Sequence, residues 1–118
     1  MSYRIENNVC ILFVNGELRG EYVQEFKDYF KSLVEKDHYS ICVINLQHVK
    51  YVDSSGVSAI VSAIKQAQKE QVRLVCCRPS ELVFETLRSS RIDKIISICE
   101  TEQEAIDSAD KHLKSNPD

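Results

Sequence analysis

The sequence predicts an α/β fold: a single domain whose mixed, mostly parallel sheet of about five strands has four helices packed on it. Three observations lead there. A continuous apolar run at 9–14 reads as a strand covered on both faces, and the largely apolar segments at 41–46 and 72–77 read as two more buried strands. The stretches between them change to helical spacing, and strands separated by single helices require parallel crossovers. A chain of 118 residues also has room for one core and not for two.

Tyr3-Arg4-Ile5-Glu6 alternates and is ended by Asn7-Asn8, so it suits an antiparallel hairpin partner for the strand at 9–14, which Asn15-Gly16 stops. After Gly20, Val23, Phe26, Phe30, Leu33 and Val34 follow helical spacing, with Tyr22 and Tyr29 widening the apolar stripe and acids and lysines filling the other side. Asp37-His38-Tyr39-Ser40 breaks that helix before the strand at 41–46. Beyond Asp53, Val57, Ile60, Val61 and Ile64 restore the helical period, and Ala59, Ala63 and Ala67 narrow the helix for close packing. The strand at 72–77 leads into Arg78-Pro79-Ser80, where Pro79 suits a first helical turn. Leu82, Val83, Leu87 and Phe84 are the expected buried side of that helix. Residues 95–99 form the expected last strand, and Thr101-Glu102-Gln103-Glu104 matches a capping box for the last helix. Residues 114–118 read as a polar tail.

Apolar residues make up 43% and charged residues 28%, the proportions of a globular chain and not of a disordered or fibrous one. Fifteen Lys and Arg against eighteen Asp and Glu leave a net charge of −3. That balance argues against nucleic acid and against a membrane surface as partners. The longest apolar run, at 9–14, is far below the roughly 20 residues a bilayer crossing needs. Met1-Ser2-Tyr3-Arg4-Ile5-Glu6 lacks the apolar core of a signal peptide. A cytoplasmic location is the expectation.

Five cysteines, at 10, 42, 76, 77 and 99, lie in or beside apolar runs, where a free thiol behaves as a small hydrophobe. Cys76 and Cys77 are adjacent and face opposite sides of a strand, so they cannot easily hold one ion together. His38, His48 and His112 have no His or Cys at ligand spacing. No metal, cofactor or catalytic residue is expected. Neither a phosphate-binding loop nor a nucleophile elbow occurs, and three glycines cannot make a Gly-rich cradle.

The segment that could carry chemistry is Asp53-Ser54-Ser55-Gly56, between a buried strand and the Ala-rich helix. Binding and reaction sites of open α/β sheets gather at that edge. Asp53 suits an N-cap, and Ser54 and Ser55 then sit by the unsatisfied amides and positive dipole end of the helix. Such a helix start accepts anions, although Asp53 repels them, and ordinary capping accounts for the same residues.

The stretch 44–56, with Leu46, Val49 and Asp53-Ser54-Ser55-Gly56 after an apolar strand and before an apolar helix, resembles the signature of the STAS domain. This family is named for sulphate transporters and anti-sigma factor antagonists. Gly16-Glu17-Leu18, the stretch 87–94 and Glu104-Ala105-Ile106 also resemble family features, so the likeness covers nearly the whole chain and implies a STAS-like domain over 1–113. Two departures, Lys69-Glu70-Gln71 and Ser90 at places where members often carry Gly, lie away from Ser55. The resemblance implies phosphorylation at Ser55 in an environment of Asp53, Ser54 and Gly56. It further implies a partner-switching cycle with an anti-sigma factor serine kinase and a serine phosphatase.

Gly16, Glu17, Leu18, Arg19 and Gly20, together with Val57 and Ser58, are expected to share the C-terminal sheet edge with Ser55 as one partner-facing patch, while Val57 also suits the core. Two other readings remain open. One is a STAS module without a switch, built into a larger regulatory or transport-associated complex. The other is a small hydrolase with Ser55 as nucleophile, for which His48 is the nearby base in sequence but reads as an exposed loop residue. Tyr51 either packs over the switch loop or joins the contact surface.

Overall fold

The computed structural model describes residues 1–115, with side chains described through Asp110. Five strands form one sheet in the order β1-β2-β3-β4-β5: β1 (Ser2–Glu6), β2 (Val9–Leu18), β3 (Ile41–Val52), β4 (Arg73–Cys77) and β5 (Ile98–Cys99). β1 runs antiparallel to β2, and every later neighbour is parallel. Helices α1 (Tyr22–Lys36), α2 (Ser54–Lys69) and α3 (Glu81–Ser89) bury their apolar sides against one face of the sheet. α4 (Glu102–Ser115) covers part of the other face through Ala105 and Ala109, which pack with Ile11, Ile41, Val43, Val75 and Cys77. The mixed α/β sheet with four helices is therefore the observed architecture.

The periodicities explain the packing. In α1, Val23, Phe26, Phe30, Leu33 and Val34 are buried, each large side chain contributing about 1.5–3 kcal/mol relative to exposure. In α2, Ala59, Ala63 and Ala67 are buried, and Ala59 and Ala63 lie beside Phe26 and Phe30 of α1, where small side chains allow a close approach. Ser80 caps α3 by accepting the Val83 N–H at 3.2 Å. Thr101 does the same for α4 through the Glu104 N–H at 3.0 Å, and the Glu104 carboxylate reaches back to the Glu100 N–H. Cys10, Cys42, Cys76 and Cys77 are buried free thiols and Cys99 is half-buried; Cys76 faces the three-helix side and Cys77 the α4 side.

Several elements differ from the sequence expectation. β2 does not stop at Asn15-Gly16: Gly16 adopts φ +87°, and two register shifts against β3 absorb the irregularity so that pairing continues to Leu18. β3 continues past Leu46 to Val52, because Gly16, Glu17 and Leu18 supply it with partners at Val49, Tyr51 and Val52. The expected strand at 95–99 shrinks to two residues. The Ile95 and Ile96 N–H groups both bond back to the Ile92 carbonyl, closing a 3-10 turn over Ile92–Lys94 that leaves Ile95 exposed and turns Ile96 inward. Leu82 is 59% exposed, since Val83 and Leu87 alone fill the core side of α3. Tyr22 is also exposed, at the first residue of α1 and off its buried stripe. Of the tail expected at 114–118, Lys114 and Ser115 continue α4, and 116–118 lie outside the described residues.

Candidate functional site

Asp53 stands in extended conformation at the junction of β3 and α2, and its carboxylate organises the turn that follows. One oxygen, Oδ1, accepts the Gly56 N–H at 2.9 Å and the Ser55 hydroxyl at 2.6 Å. The Asp53 carbonyl accepts the Val57 N–H at 2.9 Å and so opens the helical ladder. These donors hold the Asp53 carboxyl below the usual carboxylate range: the Ser55 hydroxyl contributes most, followed by the Gly56 N–H and by backbone N–H groups of Ser55 and Gly20. Ser54, Ser55 and Ser58 are exposed, Val57 is half-buried and Gly56 is buried.

Gly56 has a steric reason that the capping pattern does not reveal. A Cβ at this position would collide with the Leu18 carbonyl oxygen and lie 2.9 Å from Val52 Cγ1. The end of β2 therefore rests directly on the first turn of α2, and the Asp53 N–H donates to the same Leu18 carbonyl at 3.2 Å. The chain then turns at Gly20, φ +53°, and starts α1 with Tyr22 and Val23 N–H bonds to the Arg19 and Gly20 carbonyls. In this way the β2–α1 loop and the α2 start become one continuous surface.

Gly16, Arg19 and Gly20 are exposed on that surface and Glu17 is half-buried. Leu18 is not part of it: at 1% exposure its side chain belongs to the core, and only its backbone serves the site. Arg19 Nε donates to the Glu17 carboxylate at 2.7 Å, and its guanidinium lies 6.0 Å from the centroid of the Tyr51 ring. Tyr51 is thus an exposed neighbour of the loop, stacked by a cation. Its place here depends on the extension of β3, which a reading that ends the strand at Leu46 cannot show. A hollow of about 490 Å³ opens beside the loop, lined among others by Gly16, Glu17, Tyr22 and Lys50. A larger groove of about 950 Å³ runs along the α4 side and includes neither Asp53 nor Ser55.

His48 lies on β3, paired with Asn15, and not in a loop as expected, although it is exposed. The hydroxyl of Ser55 is engaged by a carboxylate and not by an imidazole. Among the described residues, no three His, Cys, Asp or Glu side chains converge as a metal site requires, and no helix is long and apolar enough to cross a membrane.

Sequence reading also missed a second polar junction. Asn45 is 2% exposed in the middle of β3; its amide donates to Glu102 at 2.8 Å and its carbonyl oxygen accepts the Gln47 N–H at 2.9 Å. Arg4 completes the link with a 3.0 Å bond to the same Glu102. A lone Asn inside an apolar strand was the available signal, because a buried amide needs partners.

A family model for the STAS domain matches residues 1–105. A Thermotoga maritima protein provisionally named an anti-sigma factor antagonist is 29% identical over 106 residues, covering 89% of this chain and 93% of that protein. A crystal structure of a Thermotoga maritima protein with the same provisional name superposes with a TM-score of 0.82 at 28% identity, covering 92% of each chain. The anti-sigma factor antagonist SpoIIAA in its unphosphorylated form shares the fold, with a TM-score of 0.76 at 19% identity over 93% of this chain and 96% of that one.

Proposed function

The chain belongs to the STAS domain family, and from that premise we propose that it is an anti-sigma factor antagonist switched by phosphorylation of Ser55. In this reading it is a non-catalytic, cytoplasmic binding module. Unphosphorylated, it docks on an anti-sigma factor serine kinase and frees the sigma factor. The kinase transfers the terminal phosphoryl group of ATP: an Oγ–P bond forms at Ser55, the bond to the leaving ADP breaks, and the hydroxyl proton passes to a base. A serine phosphatase restores the hydroxyl by hydrolysis.

The observation that carries the reading is an exposed Ser55 hydroxyl at the first turn of α2, held at 2.6 Å by Asp53 on a surface shared with the loop from Gly16 to Gly20. A phosphate there adds roughly −1.5 to −2 charge at pH 7 beside the Asp53 carboxylate. The helix start tolerates an anion, so the protein keeps its fold while a docked partner meets new charge and lost apolar contact. The family relatives named above support the antagonist role. In the alternative, a STAS module without a switch in a larger complex, the same hydroxyl serves only the Asp53 cap.

Incubation with candidate anti-sigma kinases and ATP, followed by phosphosite mapping by mass spectrometry, tests the reading. Labelling is expected at Ser55. Ser55→Ala abolishes it with an unchanged circular dichroism spectrum, and Ser54→Ala leaves it in place. Labelling lost in Ser54→Ala and kept in Ser55→Ala would overturn the assignment.

A further inference from the structure

The sheet has two edges, and they are built differently. β5 offers two residues, too few to pair with another strand, whereas β1 offers five, all exposed, with no strand on its outer side among the described residues. Natural edges are usually blunted by short strands, charged side chains, Pro, a bulge or a covering element. β1, Ser2-Tyr3-Arg4-Ile5-Glu6, has neither Pro nor a bulge, its pairing with β2 is regular throughout, and its two charges, Arg4 and Glu6, are of opposite sign.

The hairpin sets which backbone groups are free. Glu6 pairs with Val9 across the two-residue turn Asn7-Asn8, both at positive φ, and the residues flanking such a turn form a hydrogen-bonded pair. Alternation then directs the N–H and C=O groups of Ser2, Arg4 and Glu6 toward β2, and those of Tyr3 and Ile5 outward. A second β1, running antiparallel, can join only in a register that sets an outward-facing residue of one copy, Tyr3 or Ile5, against an outward-facing residue of the other.

Charge selects among those registers. Centring the pair on Arg4 would oppose two arginines at close range, a destabilising arrangement. Centring it on Tyr3 sets Arg4 opposite Ser2 and leaves both charges of the strand without a cross-strand partner. Centring it on Ile5 places Arg4 of each copy opposite Glu6 of the other. Arg4 and Glu6 are already bonded within the strand at 3.1 Å, so two copies create a square of four charges with alternating sign. On the opposite face Ile5 meets Ile5, beside the Tyr3–Tyr29 edge-to-face contact at 6.4 Å. The pattern is complementary to itself.

We propose that β1 is a self-association edge, through which two copies of this chain join antiparallel about Ile5 into one ten-stranded sheet. The two Ile5 residues exchange both backbone hydrogen bonds, and the Arg4–Glu6 square fixes the register. Two strands this short bury less than the standard 1,200–2,000 Å², which places the dimer among weak, reversible associations. The β1 edge is independent of Ser55 chemistry, so this inference stands or falls apart from the proposed function.

Sedimentation analysis tests it on the intact chain between about 10 μM and about 1 mM, the range where weak interfaces populate both states. The wild type is expected to rise toward twice the monomer mass. Arg4→Glu and Glu6→Arg should each stay monomeric alone, since each makes all four charges alike. Mixed one to one they should associate again, and the double exchange within one chain should dimerise like the wild type. Melting curves of the two single variants show that each is folded before mixing. A monomer at every concentration would overturn the proposal, as would a dimer untouched by the single exchanges or a mixture that fails to associate.

Discussion

At Gly56 two effects of a single methyl group oppose each other. By helix propensity alone, Gly56→Ala gains up to about 1 kcal/mol. The added carbon meets the Leu18 backbone carbonyl, which cannot rotate away as a side-chain tip could. Overpacking of that kind costs about 1–3 kcal/mol, so the clash wins and urea denaturation should show a net loss of stability. Asp53 supplies a second test at the same scale. Its folded-state pKa lies below its unfolded value, so its stabilising contribution is present above the unfolded pKa and is lost as pH falls through the folded one. An NMR titration should find the Gly56 amide moving with the Asp53 carboxyl, with a midpoint below the ordinary carboxylate range. A midpoint at or above that range would contradict the bond network.

At the scale of elements, the β2–α1 loop and the α2 start form one surface, on which exposed Arg19 pairs with half-buried Glu17. Ion pairs at the surface contribute little to stability, typically under about 1 kcal/mol. Charge reversal at Glu17 or Arg19 should therefore leave the melting temperature nearly unchanged while weakening binding of the proposed anti-sigma kinase partner. Unchanged affinity in both variants would remove the loop from the interface. The elements themselves were largely legible, because hydrophobic runs and helical spacing report which side of a segment is buried. The ends of β2 and β3 were not. Asn15-Gly16 reads as a stop, and only the pairing of Gly16, Glu17 and Leu18 with β3 shows that the strand goes on. The last strand failed for the opposite reason. Its isoleucines have β-propensity, yet two backbone bonds to the Ile92 carbonyl hold the segment in a helical turn. Asp53 was visible as a cap and Ser55 as a helix-start hydroxyl. The roles of Leu18 and Tyr51 depend on segments that meet only after folding.

For the molecule as a whole, Ser55 sits on a rigid frame. The α2 start adjoins Val52 and Ile60, both buried, and rearranging it would expose apolar side chains at about 1.5–3 kcal/mol each. The proposed phosphate at Ser55 would act on a docked partner without that cost, so phosphorylation should leave hydrogen-exchange protection across the sheet unchanged. The thiols provide an independent readout. Burial pushes Cys76 and Cys77 up to about 12, and both are closed to solvent, so alkylation should be slow and equal in the two phosphorylation states. Faster labelling after phosphorylation would mean that the core opens.

The contact between Gly56 and the Leu18 carbonyl has a consequence for engineering. The segment bearing Ser55 cannot be lifted into another scaffold as a short linear tag. Without the end of β2 lying across it, the glycine is only a weak point in a helix, and the cap loses the neighbouring Gly20 amide that helps keep Asp53 ionised. A portable version must carry the loop from Gly16 to Gly20 alongside the helix start, so the smallest transferable module is two chain segments and not one.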